Sequence, residues 1–130
     1  AVDLSPCSAQ ALSLARALAA AVGATVDVVY VIDSSAATLT RPGPTEGSEA
    51  AAREQLHAFV RSAGGPIAES IGERILSGSV CDQVVALAEA ENFDLVVMGT
   101  HGRTGRSHSM LGSIAASVVR TSSRPVLTVK

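Results

Sequence analysis

Four glycines punctuate a segment that follows a short apolar run and precedes a helical pattern. They are Gly99, Gly102, Gly105 and Gly112. Glycine lets the backbone adopt positive φ and lets a phosphate approach the amide groups without a Cβ in the way. A helix that opens at Gly112 presents free N–H groups and a positive dipole end, which suit an anion. The spacing therefore indicates a phosphate-binding loop, although it matches neither GxGxxG nor a Walker A sequence.

Polar side chains around this loop could contact the same phosphates. Ser113 could add its hydroxyl and its N–H, and Thr100 could donate from the near end of the loop. Arg103 and Arg106 could close over a polyphosphate. The spacing leaves a second interpretation open, because Gly, Ser and Arg are also ordinary residues of a surface loop.

His108 and Ser109 raise the question of catalysis within the same loop. No third residue at a recognisable spacing supports a Ser-His-Asp arrangement. The loop offers many backbone donors but no evident base to activate water. Binding of a phosphate group is therefore favoured over its hydrolysis.

The composition limits the classes of protein to which the chain can belong. Its 130 residues are 47% hydrophobic and only 2% aromatic, which predicts one domain over 1–130 with a core of small side chains. A net charge of -2 disfavours nucleic acid and anionic membranes as partners.

Cys7 and Cys81 lack metal-ligand spacing and are predicted to be buried thiols. We find no apolar run of spanning length and no signal peptide pattern, so we expect a cytoplasmic protein.

Strand and helix patterns alternate along the chain. The periodicity and breakers predict helices over 6–22, over 50–63 and near 80 and 114, and strands over 25–32, 71–78, 95–98 and 125–129, with a loop over 33–47. The opening Ala-Val-Asp leaves no room for the strand expected before Asp3, so we expect that strand to be truncated. This alternation predicts a doubly wound parallel α/β sheet with helices on both faces. Ligands bind at the carboxyl ends of such strands, where Asp3 and Gly99 lie.

The segment Gly99-x2-Gly102-x9-Gly112-Ser113, with apolar strands on either side, resembles the signature of the ATP-binding branch of the universal stress protein family. The opening 1–5 is similar to the end of that family's first strand, and 29–33 to its second. The resemblance implies a five-stranded Rossmann-like, adenine nucleotide alpha hydrolase-like sheet of order 3-2-1-4-5. It also implies bound ATP with Mg²⁺ or another divalent cation held through the phosphates, and homodimers that meet along the last strand, 125–129. With this resemblance, a nucleotide-binding regulatory module is favoured over two alternatives, a slow ATPase or nucleotide phosphotransferase and a nucleotide-free structural dimer.

The resemblance further implies a role for individual residues. Asp3 would lie at the adenosine end of the site, with Ala1 and Val31 against the adenine. The ribose and phosphates would be lined by residues of the glycine loop and its neighbours, namely Met98, Gly99, Gly102, Gly112, Ser113 and Ile114. An unpaired hydrophobic edge strand at the end of the chain gives the implied dimer a physical basis.

Overall fold

The computed structural model describes residues 1–34, 46–64, 71–102 and 111–130. Helices and strands alternate through these ranges. In chain order they are α1 (Pro6–Val22), β1 (Asp27–Asp33), α2 (Glu46–Gly64), β2 (Gly72–Gly78), α3 (Val80–Ala90), β3 (Val96–Gly99), α4 (Ser113–Thr121) and β4 (Val126–Val129). Each predicted helix and each predicted later strand is found. Most of the predicted 33–47 loop falls outside the described residues, and α2 begins at Glu46, inside the predicted loop.

The strands pair in parallel, as predicted for an α/β fold. Strand β1 pairs with β2, and β3 pairs with β4. The first two residues lie between these pairs: Val2 forms a bridge with Tyr30, and the Ala1 amino group donates to Val97 O at 2.7 Å. In the described residues the expected first strand is therefore a single bridge instead of a regular strand. The continuous five-stranded order 3-2-1-4-5 stays a prediction.

Helix α1 shows how local signals fix the ends of an element. The Ser5 side chain caps its start by accepting a hydrogen bond from Ser8 N at 3.2 Å, and Pro6 occupies the first turn. Gly23 ends it in the left-handed region at φ 70°, where glycine carries no Cβ penalty. The predicted bounds of this helix are confirmed.

The core forms two apolar layers on opposite faces of β1. Val28 packs with Leu12 of α1 and with Leu56 and Val60 of α2. The alternate side chain, Val29, packs with residues of α3, β3 and α4, among them Val84, Val96, Met98 and Val118. Successive side chains of a strand point to opposite faces. The predicted placement of helices on both faces is therefore confirmed.

The two cysteines are partly exposed and form no disulfide with each other. Cys7 Sγ donates to Val129 O at 3.1 Å, which ties the start of α1 to the end of β4. The prediction that both thiols are buried overstates their burial, because each lies near the end of a helix. None of the helices in the described ranges is long and apolar enough to cross a membrane.

Candidate functional site

A cavity of about 240 Å³ opens at the carboxyl end of β3. Its walls come from the first three residues of the chain, the start of the glycine loop and the first turn of α4. Most of the predicted site residues line it, namely Ala1, Asp3, Met98, Gly99, Thr100, Gly102, Gly112, Ser113 and Ile114. The cleft therefore lies between Asp3 and Gly99, where the topology predicts it.

Two predicted site residues are not among those that line the cavity. Val31 is 8% exposed and belongs to the core on the α3 and α4 side of β1. Arg103 lies outside the described residues, as do four other residues of the loop that the sequence singled out, namely Gly105, Arg106, His108 and Ser109.

A tight turn holds Asp3 at the floor of the cavity. Its Oδ1 accepts a hydrogen bond from Ser5 N at 3.1 Å, as in an Asx turn. Leu4 between them has a φ of 65°, a conformation that costs a residue with a branched side chain on the order of 1 kcal/mol or more. The chain can thus leave the sheet and start α1 within two residues. The Asp3 carboxylate is held at the end of the strand by the same turn.

The described glycines of the loop allow other groups of the chain to approach their backbone closely, and none of them has a positive φ. The glycines with positive φ in the described ranges are Gly23 and Gly78, so the expectation of positive φ in the loop is wrong for Gly99, Gly102 and Gly112. Each of these three instead lies against another group. An added Cβ would lie 2.8 Å from Cys7 Sγ at position 99, 2.8 Å from Asp3 Oδ2 at position 102 and 2.9 Å from Thr100 O at position 112.

Two backbone hydrogen bonds fix the base of the loop. Thr100 N donates to Val129 O at 2.7 Å, and Gly112 N donates to Thr100 O at 2.8 Å. The Thr100 hydroxyl, which the sequence assigns to a phosphate, lies 2.8 Å from His101 Nδ1. The loop therefore leaves and returns at one point, and the start of α4 is held against the end of β3.

The N-terminus of α4 is the most favourable place in the cavity for an anion. Three helices bring their first turns to the cavity, through Ser8, Val80 and Ser113. Helix α1 is capped by the Ser5 side chain, and α3 carries Asp82 in its first turn. Helix α4 has Gly112 as its N-cap residue, with no side-chain cap and no acidic residue in its first turn. Its N–H groups and positive dipole end are thus available to a negatively charged group.

The cavity combines two kinds of recognition. At α4 it offers hydrogen-bond donors and positive potential, and at Asp3 it offers a carboxylate that accepts hydrogen bonds. Apolar surface from Ala1, Met98 and Ile114 lies between them. A ligand with an anionic end, an apolar planar part and hydroxyl or amino donors matches this arrangement.

A model of the universal stress protein family matches residues 1–130. The chain belongs to that family. It is 35% identical over 136 residues to universal stress protein A homolog 1 of Coxiella burnetii, an alignment that covers 99% of this chain and 92% of that protein. The family resemblance predicted from the glycine loop and the two strand ends is confirmed.

Two solved structures of the universal stress protein family resemble the fold. One is universal stress protein UspA from Lactobacillus plantarum, with a TM-score of 0.80 and 21% identity over 99% of this chain and 93% of the other. The second is a universal stress protein in complex with cAMP, with a TM-score of 0.72 and 26% identity over 99% and 92%. The predicted Rossmann-like α/β class is confirmed by these neighbours.

Some residues of this universal stress protein cavity were not predicted from the sequence. Ser8 and Val80 line it from the first turns of α1 and α3, and Val2, His101 and Ala115 complete it. The signal for Ser8 and Val80 is topological, because helices that follow parallel strands begin at the ligand-binding edge of the sheet. No cluster of three or more His, Cys, Asp or Glu that could hold a metal occurs in the described part of the chain.

Proposed function

We propose that this universal stress protein is a regulatory protein that binds an adenine nucleotide, ATP in particular, in the 240 Å³ cavity. The observation that carries the proposal is that the uncapped, acid-free start of α4 shares one cavity with Asp3. The phosphates lie at Gly112 and Ser113, and the nucleoside lies toward Asp3 and Ala1. A relative of 26% identity was solved in complex with cAMP, which supports an adenine nucleotide as the ligand class.

The direction of the nucleotide follows from charge. A phosphate beside the Asp3 carboxylate would be repelled, whereas the same phosphate at the start of α4 gains from the helix dipole and the free N–H groups. Asp3 is then available to accept from a ribose hydroxyl. Mg²⁺ or another divalent cation would be held through the phosphates, as is common where Mg²⁺ binds a nucleotide. We keep Arg103 as a residue that contacts the phosphates and Val31 as a residue that contacts the adenine.

Binding without efficient hydrolysis is the regulatory mode that we propose. Among the described residues, the titratable side chains that line the cavity are Asp3 and His101. In the proposed orientation Asp3 lies at the nucleoside end, away from the terminal phosphate at which a base for water would act. His101 Nδ1 lies 2.8 Å from the Thr100 hydroxyl. Binding of the nucleotide, rather than its turnover, is the event that a partner would sense. The free thiols and the net charge of -2 are in line with a cytoplasmic protein that binds neither nucleic acid nor membrane.

Titration with labelled ATP and Mg²⁺ tests the proposal. Saturable binding with a Kd below about 1 mM is expected, and adenosine should compete more weakly than ATP because it lacks the phosphates. Mass spectrometry of small molecules released from freshly purified protein would report ATP, AMP or a cyclic nucleotide directly. Absence of saturable binding at millimolar nucleotide would contradict the proposal, and phosphate release well above background would favour the ATPase alternative.

Replacing Asp3 separates the nucleoside end of the site from the phosphate end. Asp3→Ala removes both carboxylate oxygens, and we expect ATP and adenosine affinity to fall about 10-fold together, since a hydrogen bond to a charged group contributes roughly 1.5–3 kcal/mol. Asp3→Asn keeps an oxygen for Ser5 N and serves as the control for the turn. Calorimetric titration measures both ligands. If Asp3→Asn binds ATP more tightly than the parent while adenosine is unaffected, the carboxylate faces the phosphates and our orientation is reversed.

The edge of β4 supports a homodimer as part of the proposed function. Among the described strands β4 pairs only with β3, and all four of its residues are partly exposed. Ile114 and Val119 of α4 are 41% and 45% exposed, which adds apolar surface to the same half of the molecule. We propose that two copies meet along β4, because an open apolar edge strand favours pairing.

A charge on β4 is expected to give monomers. In Val129→Arg, each copy would bring a guanidinium into the apolar strand pair, where its charge would lose solvent. The hydrogen bond that Val129 O accepts from Thr100 N is made by the backbone and does not depend on the side chain. Light scattering should report half the mass of the parent protein. Lys130→Glu, at an exposed neighbouring position, is the control and should leave the dimer intact. A dimer of unchanged mass in Val129→Arg would refute β4 as the interface.

A further inference from the structure

Thr100, the residue that follows β3, is bonded to both ends of the segment that contains α4 and β4. We call this segment, from Gly112 to Val129, the α4–β4 unit. Thr100 O accepts a hydrogen bond from Gly112 N at 2.8 Å, at the start of the unit. Thr100 N donates to Val129 O at 2.7 Å, at its end. One residue therefore holds the start of α4 and the end of β4 together.

The Val129 carbonyl accepts a second hydrogen bond, from the Cys7 thiol of α1. Its length is 3.1 Å, and a carbonyl oxygen has two lone pairs for two such donors. The same sulfur lies against the backbone of Gly99, since a Cβ at that position would be 2.8 Å from Sγ. The position of Val129 is thus determined by α1, by the end of β3 and by the start of the glycine loop.

The turn between α4 and β4 closes the other end of the unit. Ser122 Oγ donates to Arg124 O at 2.9 Å and accepts from Arg124 N at 3.1 Å. The Arg124 guanidinium donates to Asn92 Oδ1 at 2.9 Å, just beyond α3. Val118 anchors α4 in the core and is fully buried. A displacement at the start of α4 is therefore transmitted to β4 and not absorbed in the turn between them.

The outer edge of β4 is the side on which we propose that a second copy pairs. Val129 directs its carbonyl to β3, where Thr100 N donates to it. Successive residues of a strand direct their N–H and C=O groups to opposite sides, so Thr128 directs its own away from β3. Among the described strands β4 pairs only with β3. The residue held by the glycine loop is thus the direct neighbour of a residue whose backbone faces the second copy.

A nucleotide in the cavity would act on this connection at the start of α4. Its phosphates would accept hydrogen bonds from the free N–H groups of the first turn and hold that turn in place. Gly112 is then fixed, and with it Thr100 and the Val129 carbonyl. Strand pairing between two copies orders the groups at the interface, and an edge that is already held in position loses less freedom when it pairs.

We propose that nucleotide binding and the pairing of β4 are coupled through Thr100 and the Val129 carbonyl, with Cys7 as a positioning residue that holds this carbonyl. ATP then tightens the dimer, and by thermodynamic linkage the dimer binds ATP more tightly by the same factor. The second copy regulates the nucleotide site in this way although it does not line the cavity. The coupling rests on the proposed function, because it requires ATP in the cavity and a second copy at β4.

Thr128→Pro tests the coupling from the side of the dimer. Proline has no N–H to offer across the edge, whereas the bonds from β4 to β3 are made by the neighbouring residues and remain. We expect a monomer that binds ATP at least about 5-fold more weakly than the parent and binds adenosine equally well, since the coupling acts through the phosphates. Thr128→Val keeps the N–H and is the matched control, which should remain dimeric. Light scattering gives the masses and calorimetric titration the affinities.

A second pair of variants tests Cys7. Cys7→Ala removes the thiol that donates to Val129 O, and Cys7→Ser replaces it with a hydroxyl donor. We expect ATP affinity to fall about 3-fold in Cys7→Ala and to recover in Cys7→Ser, with adenosine affinity unchanged in both. Equal loss of ATP and adenosine affinity, or no recovery in Cys7→Ser, would show that Cys7 contributes packing alone and does not position the carbonyl.

Three results would overturn the coupling and leave nucleotide binding intact. They are equal ATP affinity in a monomeric Thr128→Pro and a dimeric parent, a dimer dissociation constant of the parent that is the same with and without saturating ATP and Mg²⁺, and a parent that is monomeric under both conditions. Absence of ATP binding to the parent is a different outcome, because it removes the proposed function and the coupling with it.

Discussion

Gly112→Val is expected to weaken ATP binding at least about 100-fold. A Cβ at this position would lie 2.9 Å from Thr100 O, the atom that accepts the 2.8 Å hydrogen bond from Gly112 N. Both groups are backbone, so neither can turn away as the end of a side chain can. The first turn of α4 must shift, and its N–H groups then miss the phosphates. Loss of two hydrogen bonds to a charged group, at roughly 1.5 kcal/mol each, accounts for the expected factor.

The effect of Gly112→Val on binding must be separated from its effect on folding. Gly23→Ala is the matched control, since Gly23 has a φ of 70° and no atom within 4 Å of an added Cβ. Alanine is unfavourable in this left-handed conformation, so the variant should lose about 1 kcal/mol of stability and keep its ATP affinity. Equilibrium titration at a temperature where both variants are folded measures the difference. Wild-type affinity in Gly112→Val would place the phosphates elsewhere.

The second large effect is a loss of stability when the core beside β1 is truncated. Leu56 of α2 is fully buried and belongs with Val28 and Val60 to one apolar layer. Leu56→Ala leaves a cavity that the neighbouring side chains fill only in part. We expect the free energy of unfolding to fall by about 3 kcal/mol.

Urea unfolding measures this loss. Gln55→Ala, at the exposed neighbouring position of the same helix, is the control and should change the free energy of unfolding by about 0.5 kcal/mol or less. An equally small change in Leu56→Ala would contradict the burial of this side chain in the folded protein.

The sequence predicts elements well where local signals decide them. Helix α1 has the predicted bounds because Ser5, Pro6 and Gly23 are cap and terminator residues whose effect does not depend on distant contacts. Helix α2 begins at Glu46, before the predicted start at residue 50. A stretch rich in Gly and Ser indicates a loop by composition, and helical structure there depends on the rest of the fold, which propensity does not contain.

The position of the cavity was predictable from the sequence, but the physical reason for glycine at each position of its loop was predictable only in part. Strand ends and the topological rule place Asp3 beside Gly99 without coordinates. That Gly99 is required by the sulfur of Cys7 is not readable from the sequence, because 92 positions separate the two residues and only folding brings them together. The same holds for Gly102 and Asp3. Spacing indicated that glycines were needed, but it assigned the need to positive φ and to the approach of a phosphate, not to contacts within the chain.

The contact between Cys7 and Gly99 also limits how this family member can change over evolutionary time. The thiol fills the space that a side chain at position 99 would need, with Sγ 2.8 Å from the Cβ site. Gly99→Ala alone therefore forces atoms together, whereas Cys7→Ala removes the sulfur and opens that space. The two positions share one volume, so a lineage that gains a side chain at the end of β3 is expected to lose the sulfur from α1 first.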